Sequence, residues 1–198
     1  MARTPNSYKH ETHDRIVEVA GRAIRRYGYA GVGVADVMKE AGLTHGGFYA
    51  HFDSREAMLV EALERAGTDS ACVLNDAIGA RIASGASPFR ALVETYLGDA
   101  HLASIETGCP VAALSSDMSR QSLPVREASA RRVQRLIDAV SAALAPASRP
   151  TAAVVSATLI GSLQMARALG DTSQGREVLA AARQALIEQY DPPAAPAG

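Results

Sequence analysis

The stretch Leu43-Thr-His-Gly-Gly-Phe-Tyr-Ala-His-Phe52 gathers two imidazoles, a phenol and a threonine hydroxyl within ten residues. Such groups could ligate a metal, move a proton or hydrogen-bond to a phosphate. Metal ligation fits the spacing badly. His45 and His51 are six residues apart, about 240° round a helix, so they do not share a face. His10-Glu-Thr-His13 has i, i+3 spacing, but no third ligand lies near it in sequence, and it reads as a solvated helix start. Gly46 and Gly47 each cost a helix about 1 kcal/mol relative to alanine. Adjacent glycines in a helical setting pose a question: does the backbone here come close to something?

Other reactive positions are sparse. No nucleophile–base pair, paired carboxylates or metal set stands out, so neither enzymatic activity nor a cofactor is expected. Gly28-Tyr-Ala-Gly-Val-Gly33 lacks both a preceding strand and the Gly-x-Gly-x-x-Gly order of a nucleotide loop, and reads as a connection between helices. There are two cysteines, Cys72 and Cys109, without metal spacing or a disulfide framework, which points to a reducing compartment. Cys109 precedes Pro110, so it is expected at a helix N-cap, where a thiol becomes more acidic and reactive. An electrophile or oxidant sensor and a plain buried thiol both remain open there. Cys72 reads as structural.

These residues must be held by helices. Strand alternation is almost absent and alanine is abundant. Ile16, Val19, Ala20, Ala23, Ile24 and Tyr27 mark one apolar face, and Gly28 ends that helix. Val34 to Ala41 reads as a short second helix, closed by Gly42 and Leu43. Thr44 is expected to cap the next short helix. Asp53 with Glu56 reads as the capping box of a fourth, running past Gly67 toward Ile78. Pro88 suits the first turn of a later helix with Phe89, Leu92, Val93, Tyr96 and Leu97 inward. Helices near 125–144, 151–169 and 174–190 complete the chain, with loops at Pro124 and at Pro146 to Pro150.

The whole has 198 residues, 21% charged and 47% hydrophobic, with net charge −1. That is an ordinary soluble composition without a global basic excess. Residues 1–55 hold eight Lys or Arg, six Asp or Glu, and four of the five histidines. The polar N-terminus lacks an apolar signal core. The apolar run Ala152 to Leu169 contains Ser156, Ser162, Gln164 and Arg167, and reads as a packing helix rather than a membrane span.

Three N-terminal helices, the last two short and joined by a glycine turn, make a helix-turn-helix pattern. Gly28, Gly31, Val37, Ala41-Gly-Leu-Thr44, Phe48-Tyr-Ala-His-Phe52 and Ser54-Arg-Glu-Ala-Met-Leu59 together resemble the TetR family of bacterial transcriptional regulators. The resemblance covers roughly residues 12–65. It implies an all-α fold: an N-terminal three-helix DNA-binding domain (1–53), and a larger C-terminal helical domain for ligand binding and dimerisation (54–190). A Pro/Ala-rich tail (191–198) would be disordered. Its partners would be double-stranded operator DNA, a small-molecule effector, and a second copy through the helices near 151–169 and 174–190. A cytoplasmic location follows, with no membrane partner.

By the same resemblance, Thr44, His45, Gly46 and Gly47 face bases or nearby phosphates. Tyr49 and His51 contact or support the backbone. Arg55 takes the family's usual lysine position and keeps its positive charge. Phe48 and Phe52 are expected to pack inward. The chain departs from the family at Gly33, where a serine or threonine is frequent, so no side chain there caps the helix or touches phosphate. Tyr96, His101, Cys109, Met118, Gln164 and Met165 combine apolar bulk with occasional polarity and are candidates for the effector pocket. The expected function is ligand-responsive repression by a homodimer. Activation, thiol sensing through Cys109, and a helical ligand-binding protein or enzyme without DNA function are the alternatives.

Overall fold

The computed structural model describes residues 5–144 and 149–191. Of the tail expected to be disordered (191–198), Asp191 is instead held, its carboxylate accepting from Ser87 Oγ at 2.8 Å and Arg90 Nε at 3.2 Å, and the rest lies outside the described residues. Among the described residues the fold is all-α, as the periodicity predicts. The helices are α1 (Pro5–Tyr27), α2 (Val34–Glu40), α3 (Arg55–Ala83), α4 (Pro88–Tyr96), α5 (Asp99–Ala103), α6 (Pro110–Met118), α7 (Leu123–Ala143), α8 (Arg149–Ala168) and α9 (Ser173–Tyr190). Residues His45–Ala50 form a 3-10 helix. Within these residues no helix is long and apolar enough to cross a membrane. The described residues of 1–70 and 106–132 form one compact unit, and those of 71–105 and 133–198 a second.

In the first unit, α1 buries Ile16, Val19, Ala20, Ala23 and Ile24 as its spacing predicts. Tyr27, expected on that face, is 58% exposed. The chain reverses at Gly28 (φ 70°), and Tyr29 takes the buried place instead, its hydroxyl 3.5 Å from Ser129 Oγ. At the end of α2, Gly42 (φ 73°) allows its N–H to reach Lys39 O while the Leu43 N–H reaches Met38 O at 2.8 Å. Those two bonds close the helix as the sequence predicts.

The capping box expected at Asp53 and Glu56 is displaced. Ser54 Oγ accepts from the Ala57 N–H at 3.1 Å, and α3 starts at Arg55. A hydroxyl one residue later makes the cap, and Glu56 falls too early to close the box. The helix then runs beyond Ile78 to Ala83, because Gly67 and Gly79 lie inside it without breaking the ladder. Pro124 and Pro150 sit in the first turns of α7 and α8 rather than in loops, since a proline there removes no helical hydrogen bond.

In the second unit, Ser87 caps α4 by accepting from the Arg90 N–H, with Pro88 first in the helix. α8 and α9 pack along each other after the turn at Gly170 (φ 76°), and Thr172 caps α9. Val155, Leu159, Leu163 and Ala166 of α8 and Leu179 and Leu186 of α9 are buried.

Candidate nucleic-acid interface

The polar stretch 43–52 forms a short turn fixed from behind. Phe48 and Phe52 are buried to 1% and 3% exposure, and their rings stack with centroids 5.4 Å apart. Tyr49, edge-on to Phe48 at 5.3 Å, points outward and is 72% exposed. Thr44, His45 and Gly46 are exposed and Gly47 is half-buried. Phe48 and Phe52 thus pack inward as expected, while Thr44, His45 and Tyr49 are exposed.

The element is a 3-10 helix of six residues instead of the expected α-helix. Two adjacent glycines weaken an α-turn, and buried Phe48 and Phe52 anchor the C-terminal part of a short span. Thr44 occupies the N-cap position with extended backbone (ψ 148°), but its hydroxyl makes no capping bond. The hydroxyl is therefore not spent on the helix. Gly33 caps α2 without a side-chain bond, as a glycine must.

Glycine at positions 46 and 47 answers no demand of the fold. Neither backbone has positive φ. A Cβ at Gly46 would meet nothing within 4 Å, and one at Gly47 would meet only Met38 Cε at 3.6 Å and Thr44 Oγ1 at 3.9 Å.

His51 closes the turn. Its Nδ1 is buried without a hydrogen-bond partner among the described residues. Burial, then the nearby charges of His13 and Lys9, lower its pKa, so the ring is neutral at pH 7. Among the described residues no group of three His, Cys, Asp or Glu could hold a metal ion.

Arg55 has a role the sequence did not disclose. Its Nε donates to Val32 O at 3.1 Å and its Nη2 donates to Tyr29 O, so it grips the turn between α1 and α2. His13, read as part of a solvated helix start, is instead tied to Glu61 of α3 and stacked on Phe52. Both roles depend on residues dozens of positions away, which local patterns cannot signal.

The effector-pocket candidates separate. Tyr96 and His101 meet in the second unit, rings edge-on at 4.7 Å, with His101 Nδ1 2.7 Å from Tyr96 O. Burial lowers the His101 pKa to about 4, against the hydrogen bond to Tyr96 O. Gln164 and Met165 lie on α8 in the same unit, and Met165 is 60% exposed. Cys109 and Met118, both buried, lie at opposite ends of α6 in the first unit. A cavity of about 330 Å³ in the second unit is lined by Leu102, Ala103, Ile105, Asp99, Arg167 and Arg176 among others, and by none of the six candidates.

Cys109 does occupy the N-cap position of α6. Beside it, the buried Arg25 donates from Nη1 to Ala66 O at 3.0 Å and Gly108 O at 3.3 Å. Burial lowers the Arg25 pKa to about 10, partly offset by Asp69 and by Cys109.

Residues 16–62 match the model of the bacterial regulatory proteins of the tetR family. A 54-residue segment is 35% identical to the uncharacterized HTH-type transcriptional regulator YerO of Bacillus subtilis (strain 168). That match covers 27% of this chain, and the chain spans only 19% of that relative's length. Among solved structures, the reduced form of E. coli NemR has a similar fold, with TM-score 0.76 and 22% identity over 94% of this chain and 100% of that one. A TetR-family regulator from Agrobacterium tumefaciens gives 0.73 and 20% over 92% and 98%. AibR, solved in complex with isovaleryl coenzyme A and operator DNA, gives 0.62 and 16% over 92% and 99%.

Proposed function

We infer that this chain, which belongs to the TetR family of bacterial regulatory proteins, is a ligand-responsive, DNA-binding repressor acting as a homodimer in the cytoplasm. One observation carries the DNA-binding part: Thr44, His45 and Tyr49 are exposed together on a turn whose inner face is locked by Phe48 and Phe52. In the major groove, Thr44 and His45 would meet base edges, and Tyr49 would donate its hydroxyl to a phosphate. His51 would donate a ring N–H, and Gly46 and Gly47 would bring the backbone close. Arg55 would act from behind, while keeping its charge near the DNA. With few side chains reading bases, sequence-dependent DNA shape would supply part of the specificity.

Residues 1–53 form the DNA-binding domain in this reading, and 54–190 the effector and dimerisation domain. Dimerisation through α8 and α9 is supported by exposed Val154 and Met165 on α8 (58% and 60%). A pair of recognition turns would then span about one DNA turn or a multiple of it. AibR, of similar fold, was solved with both a coenzyme A ester and operator DNA. By analogy, a small molecule reaching any of Tyr96, His101, Cys109, Met118, Gln164 or Met165 would favour the dimer that fits the operator poorly. No catalytic step, cofactor or membrane partner belongs to this reading.

Selection of bound genomic fragments tests it. The expected result is sequence-specific, salt-dependent binding that Tyr49→Ala weakens at least tenfold. Absence of any sequence preference, with Tyr49→Ala indistinguishable from wild type, would overturn it.

Thiol sensing is a second reading, favoured by the N-cap position of Cys109 and by the buried Arg25 guanidinium bonded to the neighbouring Gly108 O. A Cys109→Ser protein that still releases DNA on treatment with a thiol-reactive electrophile would sink it.

A further inference from the structure

His13 sits at the centre of a set of contacts that link three segments of the first unit. Its Nε2 lies 2.6 Å from Glu61 Oε2 of α3. Its ring stacks on Phe52, centroids 4.6 Å apart and planes 24° apart. It also faces His51 at 5.9 Å. Phe52 continues the stack onto Phe48, and Phe48 meets Tyr49 edge-on. One imidazole of α1 therefore touches the ring at the end of the recognition turn, and its orientation is fixed by a carboxylate of α3. The pair is part-exposed, with 26% of the His13 side chain and 47% of the Glu61 side chain accessible. Even a fully charged pair so exposed adds little to global stability. A stabilising role thus accounts poorly for the geometry, whereas orienting the stack accounts for it well.

We propose that His13 and Glu61 are positioning residues for operator binding. Glu61 holds the His13 ring flat against Phe52, and the Phe52–Phe48 stack transmits that pose to Tyr49 and His51 before DNA arrives. An element ordered in advance loses less freedom on binding. Neither side chain needs to touch DNA itself. The inference rests on the DNA-binding reading above.

Charge alone gives the opposite expectation, which makes the test sharp. Removing a carboxylate from a DNA-binding unit reduces repulsion of phosphates, so simple electrostatics predicts tighter binding by Glu61→Ala. Loss of the clamp predicts weaker binding. The probe is the fragment recovered by the wild-type protein, with anisotropy read at several salt concentrations. If no fragment is recovered, the DNA-binding reading fails before the clamp is reached.

Glu61→Ala is expected to lower affinity five- to twentyfold, with the thermal midpoint and helical circular dichroism at wild-type values. Glu61→Gln keeps an acceptor for the His13 N–H and is expected to bind within twofold of wild type or tighter. The His13→Ala, Glu61→Ala double variant should lose no more than His13→Ala alone. The slope of log affinity against log salt should match wild type in every variant, since no phosphate contact is removed. Wild-type or tighter binding by Glu61→Ala, losses that multiply in the double variant, or a salt slope reduced by about one in His13→Ala would each overturn the proposal.

Discussion

Arg55 Nε donates to the carbonyl of Val32 at 3.1 Å, while Nη2 of the same side chain donates to the carbonyl of Tyr29. The first residue of α3 thereby grips both sides of the loop between α1 and α2. A lysine at this position would preserve charge but not the fork, because one ammonium cannot present two donors in the planar geometry of a guanidinium. Arg55→Lys should therefore destabilise the folded protein by about 1–2 kcal/mol, the cost of leaving one or two carbonyls poorly satisfied. Urea denaturation reads this directly. An unchanged midpoint would reduce Arg55 to a charge near the DNA.

Alanine at Gly47 should have opposite effects on stability and on binding. The space around the residue admits a methyl group, and its φ is ordinary. Replacing a helical glycine by alanine then stabilises by roughly 0.5–1 kcal/mol, largely by restricting the unfolded chain. If the backbone presses against DNA, the same methyl group should cost tenfold or more in operator affinity. A raised melting temperature with unaltered affinity would show that close approach is not the purpose of the missing side chain.

The contrast between these two residues shows what the sequence could disclose. The helix boundaries around Gly28 and Gly42, the inward turn of Phe48 and Phe52, and Pro88 in the first turn of α4 were legible because each follows from neighbours within a few positions. Tyr27 and Tyr29 were not distinguishable by periodicity: only the reversal at Gly28 decides which ring is buried. The Arg55 grip and the His13–Glu61 pair escape local patterns, because they join residues 23 or more positions apart. The 3-10 character of His45–Ala50 was hidden by the glycines, which say that an α-turn is weak there but not what replaces it. Residue type alone marks the pocket candidates, and type does not say which side chains share a cavity.

His101 gives the protein a measurable pH dependence. Burial lowers its pKa to about 4, while an unfolded histidine titrates near 6.5. As pH falls through 6.5 the unfolded chain takes up a proton that the folded chain refuses until about pH 4. The associated stability is complete above about 6.5 and is lost progressively down to about 4. Its full size is roughly 3 kcal/mol, taking 1.36 kcal/mol for each tenfold change in proton affinity. His101→Gln cannot titrate but can still donate to Tyr96 O. The difference in unfolding free energy between wild type and His101→Gln should shrink steadily from pH 7 to pH 4, with carboxylate titrations common to both. A constant difference across that range would mean the folded imidazole protonates as readily as the unfolded one.

Gly161 on α8 resembles Gly47 in having a bare Cα that its own protomer does not require. A Cβ there would meet nothing within 4 Å, and its backbone has no positive φ. Gly175 of α9 is the internal control, because a Cβ there would lie 2.7 Å from Gly170 O and 3.0 Å from Ala166 O, both backbone. Gly175→Ala should therefore pry α9 from α8 and lower stability by about 1–3 kcal/mol, as overpacking does. Gly161→Leu should leave the isolated protomer's helicity intact. If α8 lies against a second copy, small residues there permit close approach, and the added side chain should weaken the dimer at least tenfold in sedimentation equilibrium. A Gly161→Leu protein that dimerises as tightly as wild type would move the interface away from this part of α8 and leave exposed Val154 and Met165 to be explained by other contacts.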